Sequence, residues 1–68
     1  MEIYKFRKGD YIYYINIVTG ETKKHSSQKP GIVIETLYFN IHDVGNDKYV
    51  EVWSDDFHSN VLVKLRPV

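Results

Sequence analysis

The sequence predicts a small all-β protein whose strands close into a five-stranded barrel, and three observations lead there. Alanine is absent while Tyr, Ile, Val and Thr fill the apolar runs, which is strand rather than helix chemistry. Those runs are short and are punctuated by Gly, Pro, Asn and Asp. With 68 residues the chain affords one hydrophobic core, so residues 1–68 read as a single domain. Short strands around one core expose their edges unless the sheet closes on itself.

The elements follow in order. Lys8-Gly9-Asp10 opens the first strand, residues 11–18, with Ile12 and Tyr14 on one side and Tyr11, Tyr13 and Ile15 on the other. Thr19-Gly20-Glu21 is a turn signal, and the polar stretch after it extends the connection to a long mobile loop over about residues 19–30. Pro30-Gly31 ends the loop and opens a second strand over 32–39, reaching Ile41 through a twist or bulge. Residues 43–47, Asp-Val-Gly-Asn-Asp, form a turn in which Gly45 and Asn46 both tolerate positive φ. The third strand, 48–53, alternates cleanly, with Val50 and Val52 inward and Tyr49, Glu51 and Trp53 opposite. Ser54-Asp55-Asp56 turns into a short fourth strand at 57–61. Leu62-Val63-Lys64 reads as a 3₁₀ turn before a brief last strand at 65–68, where Pro67 requires an edge or end position.

Composition bounds the chemistry. There is no cysteine, so neither a disulfide framework nor a thiolate zinc site exists. One Trp, three Phe and six Tyr supply bulk in their place. No run approaches the roughly 18 apolar residues of a membrane span. The first residues, Met1 to Lys5, lack the apolar stretch of a signal peptide, so a cytoplasmic location is the expectation. Net charge is zero but unevenly spread: residues 1–30 carry six Lys/Arg against three Asp/Glu, and residues 31–68 the reverse. Two solvated faces of opposite sign account for that, and a basic loop surface facing phosphates is the functional counterpart.

Four segments carry a resemblance. Phe6-Arg7-Lys8-Gly9-Asp10-Tyr11-Ile12, Pro30-Gly31-Ile32-Val33-Ile34-Glu35, Val50-Glu51-Val52-Trp53-Ser54-Asp55-Asp56 and Leu65-Arg66-Pro67-Val68 stand in the order found in SH3-like barrels. The pattern resembles KOW-like, Tudor-like and small phage or bacterial SH3-like domains from about Phe6 to Val68. It departs from them in lacking the usual glycine in the Ser54-Asp55-Asp56 turn. The resemblance implies a five-stranded SH3-like barrel that binds RNA, DNA, methylated lysine, peptides or its own copies, and leaves the choice among them open.

The residues themselves point to binding rather than catalysis. Tyr11, Tyr13, Trp53 and Phe57 come from strand ends and turns, where rings surround a cation, stack on bases or grip a proline-rich peptide. They are the expected partner-binding surface for a protein or peptide, with residues 19–29 ordering on engagement. The alternative is a nucleic-acid-binding barrel that places Lys5, Lys8, Lys23, Lys24 and Lys29 on phosphates and uses the same rings for stacking. Against it stand the zero net charge and the carboxylates Asp43, Asp47, Asp55 and Asp56. No catalytic residue, cofactor or metal site is expected. His25, His42 and His58 are spaced about sixteen residues apart, unlike any ligand motif. His25-Ser26-Ser27 lacks a rigid orienting partner, and no phosphate-cradling glycine loop is present. Finally, Leu37-Tyr38-Phe39-Asn40-Ile41 puts apolar side chains on both faces of the second strand. With Tyr11 and Tyr13 it suggests a patch for a homo-oligomer.

Overall fold

The computed structural model describes residues 2–29 and 31–68. Among them are eight strands and no helix: β1 (Ile3–Lys8), β2 (Tyr11–Asn16), β3 (Glu21–Ser26), β4 (Val33–Tyr38), β5 (Ile41–Val44), β6 (Asp47–Ser54), β7 (Ser59–Lys64) and β8 (Arg66–Pro67). Every pairing is antiparallel. The all-β expectation stands, but the closed five-stranded barrel does not form. The strands build two sheets, one of five in the order β4-β3-β2-β1-β8 and one of three in the order β5-β6-β7.

Local chemistry explains the hairpins. β1 and β2 turn on Gly9-Asp10, and β5 and β6 on Gly45-Asn46, each with a positive-φ glycine in first place, the arrangement a two-residue hairpin favours. Asn46 does not adopt positive φ; Gly45 alone supplies it. Between β2 and β3 the Asn16 Oδ1 accepts the amides of Val18 and Thr19, closing an Asx turn. After β6 the Phe57 amide donates to Ser54 Oγ, and His58, at φ 50°, takes the left-handed position that the missing glycine would have held.

The core lies between the sheets. Phe6, Tyr13 and Ile15 from one sheet meet Val50 and Val52 from the other, with Leu65 completing the cluster. Phe6 and Tyr13 stack with centroids 4.6 Å apart, and Phe39 sets its edge against both. The chain crosses between sheets at residues 39–40 and at Leu65. Each corner extends the ladder of the sheet the chain is leaving, with Phe39 N–H donating to Gly20 O at 3.1 Å beside the β3–β4 pairing and Leu65 N–H to Lys48 O at 2.8 Å beside the β6–β7 pairing.

Four expectations need correction. Residues 19–30 are not a long loop: they contain β3, paired on both sides. The polar sequence of β3 concealed it, since its inward positions hold Thr22, fully buried with its hydroxyl donating to Gly20 O, and the aliphatic stem of Lys24. Residues 62–64 are not a 3₁₀ turn but the end of β7, in register with Glu51, Val50 and Tyr49. Residues 3–8, to which the sequence reading assigns no strand, form β1, between β2 and β8 in the larger sheet. In β2 the residue expected in the core, Ile12, points away from it with Tyr14, and Tyr13 and Ile15 point into the core instead. Pro30 lies outside the described residues, and the Gly31 opening precedes a bulge in β4, where Ile34 is left unpaired between the Lys24–Glu35 and His25–Val33 partners.

Candidate functional site

The four partner-binding candidates are dispersed by burial. Tyr13 is 6% exposed and belongs to the core, which corrects its assignment as a contact residue. Tyr11 is 36%, Trp53 50% and Phe57 73% exposed. Tyr11, Tyr13 and Trp53 nevertheless converge on one open cleft of about 560 Å³. The Gly9-Asp10 turn delivers Tyr11 at the start of β2, and the end of β6 delivers Trp53 from the other sheet. Tyr13, Val52, Val61 and Val63 form an apolar floor, while Asp10, Asp55 and Asp56 stand on the wall. Phe57 projects from the adjoining turn and does not line the cleft.

One side of Tyr11 is already covered. The Lys24 ammonium sits 4.0 Å from the ring centroid and donates to Glu35 Oε1 at 3.1 Å. That hydrogen bond raises the Lys24 pKa above the ordinary lysine value, against a smaller opposing effect of desolvation. A cation cage made of Tyr11 alone is therefore filled from within the chain. Trp53 is the ring left for a partner. The acidic wall (Asp10, Asp55, Asp56) was not singled out as part of this surface from the sequence, because its members come from two turns far apart along the chain.

The five lysines expected on phosphates do not share a surface. Lys8 lines the aromatic cleft, Lys24 faces the core side of its sheet, and Lys29 is exposed in the β3–β4 connection. Lys5 and Lys23 lie on the opposite face of the larger sheet, each directly across from Tyr14 of β2. Arg7 and Arg66 share that face; Arg66 was not singled out from the sequence, because its place beside Lys5 depends on the β1–β8 pairing.

The histidines stay separate. His25 is on β3, edge-on to Tyr14 with centroids 5.1 Å apart. His42 is on β5 with Nε2 3.4 Å from Glu51 Oε1, and His58 is in the β6–β7 turn. Among the described residues no three His, Cys, Asp or Glu side chains gather as a metal-holding group. No helix of the described residues is long and apolar enough to cross a membrane.

No protein-family model, no curated protein and no solved structure matches the chain.

Proposed function

We propose that the chain is a non-catalytic interaction module that takes a protein or peptide segment in the cleft between its sheets. The observation that carries this reading is the meeting of Tyr11, Tyr13 and Trp53 from two sheets over one apolar floor, bounded by Asp10, Asp55 and Asp56. An apolar trough with a half-exposed indole suits an extended segment, and a carboxylate wall selects a segment carrying Lys or Arg. The SH3-like kinship belongs to the same proposal: two inter-sheet corners and the return of β8 onto β1 are features that support it.

A peptide array tests the reading. Dodecamer binders should be enriched in Lys and Arg, and binding should fall at least about tenfold with Trp53→Ala and with Asp55→Asn/Asp56→Asn, both variants keeping their β circular dichroism. Binders that are acidic, or that are retained by folded Trp53→Ala, would sink it. Trp53 is the sole tryptophan, so its emission reports occupancy of the cleft directly.

Self-association is a second element of the proposal, favoured by a different observation. β4 is the terminal strand of the larger sheet, and Val33, Ile34 and Tyr38 on it are exposed, with no Lys, Arg or Pro along the strand. The patch imagined from Leu37, Tyr38, Phe39, Ile41, Tyr11 and Tyr13 does not exist as such. Leu37, Phe39 and Ile41 pack on the core, and Tyr13 is within it.

A further inference from the structure

The face of the larger sheet that looks away from the core carries a second surface, independent of the cleft. Residues directly opposed across antiparallel strands share a face. The registers therefore build one continuous row across all five strands: Arg66, Lys5, Tyr14, Lys23, Thr36. Arg7 stands beside it, two residues from Lys5 on the same side of β1. Where β8 stops short of the end of β1, an open cavity of about 500 Å³ is lined by Lys5, Arg7, Tyr14, Lys64 and Arg66 among others, and none of its lining residues is acidic.

The pairing of these cations is unusual for the molecule. Lys24 and Lys48 each meet a carboxylate at hydrogen-bonding distance. On this face Lys23 lies 3.7 Å from Glu21, and Lys64, which reaches the cavity from β7 of the smaller sheet, lies 3.5 Å from Asp47, both loose contacts. Lys5, Arg7 and Arg66 make no ion pair among the described residues, and Lys5 sits directly across from Arg66. Like charges in that position destabilise a sheet. In a chain of zero net charge, a concentration of cations that the chain's own carboxylates neutralise only loosely is suited to binding an external anion.

We propose that this face binds single-stranded nucleic acid. Lys5, Tyr14 and Lys23 alternate cation, ring, cation at the inter-strand spacing of about 4.8 Å. A single strand carries phosphates along its backbone with unpaired bases splayed to one side, so Lys5, Arg7 and Arg66 take phosphates while Tyr14, set between cations, stacks on a base. A duplex hides its bases and leaves Tyr14 without a partner, and an anionic vesicle offers headgroups with no ring.

Fluorescence anisotropy with a labelled single strand of about twelve nucleotides tests this, against a duplex of equal length and phosphatidylserine vesicles. Three phosphate contacts predict a log–log salt slope near about −2 for the single strand. Lys5→Gln/Arg66→Gln should weaken binding at least about tenfold and flatten the slope. Tyr14→Leu should weaken it about tenfold with the slope unchanged. Lys5→Arg should retain binding, which guards against a loss caused by misfolding. Trp53→Ala should also retain it, separating this surface from the cleft. No binding at low salt, equal binding to duplex or to vesicles, or folded Lys5→Gln/Arg66→Gln or Tyr14→Leu variants that bind like the parent chain would each overturn the assignment.

Discussion

Gly20 is where a single residue carries most of the geometry. It has φ +81° and is buried, and a Cβ built on it would lie 2.7 Å from the carbonyl oxygen of Phe39. That carbonyl is backbone and cannot swing aside, and the Phe39 amide already donates to Gly20 O at 3.1 Å. Gly20→Ala thus adds a left-handed alanine to a clash at the corner where the chain changes sheets. Its expected cost is about 2 kcal/mol or more, read from the urea midpoint at constant m-value. Tyr13 and Trp53 mark the other residue-level lesson. Alternation placed them in one class, yet one stacks on Phe6 in the core and the other stands half exposed over the cleft. Aromatic residues satisfy either environment, so their type does not reveal their side.

Strand β3 shows how an element escapes detection. Thr-Lys-Lys-His-Ser has no hydrophobic period, but its backbone groups pair with β2 and β4, and Lys24 sets its ammonium over the Tyr11 ring while donating to Glu35. The contribution of that pair depends on pH in a definite direction. With its folded pKa raised, Lys24 contributes stability that is fully present below the unfolded lysine value of about 10.4 and is lost as pH rises through the higher folded value. The stability difference between the parent chain and Lys24→Met should accordingly hold through neutral pH and shrink in strongly alkaline solution. Urea titrations at a series of pH values check this, and a difference that grew on alkalinisation would contradict the role given to the pair.

At the scale of the whole molecule, two sheets joined by a small core leave edges that a closed barrel would have hidden. β4 is the most exposed of these, with β-branched residues on it and, against pairing, only Glu35, which is held by Lys24, and the bulge at Ile34. A dimer formed by antiparallel pairing of two β4 edges is expected by light scattering at micromolar concentration, and Ile34→Lys should return it to the 8.1 kDa monomer. A chain that is monomeric before substitution would remove self-association from the reading. The two ligand surfaces proposed above occupy opposite sides of the larger sheet. A peptide in the cleft and a nucleic-acid strand on the basic face therefore need not compete.

The sequence by itself determined the β class, the absence of cysteine chemistry, the turns at Gly9-Asp10 and Gly45-Asn46, and Val50 and Val52 as core. All of these rest on short-range physics: backbone propensity, turn conformation and a clean alternation on β6. Tertiary structure alone decided the division into two sheets, the strand at 21–26 and the inward face of β2. In Tyr-Ile-Tyr-Tyr-Ile-Asn both alternating sets are apolar, so local pattern is indifferent, and the choice falls to whichever set meets Phe6 and Phe39 across the core. The same long-range pairing gathered Asp10 with Asp55 and Asp56, and Lys5 with Arg66, from opposite ends of the chain.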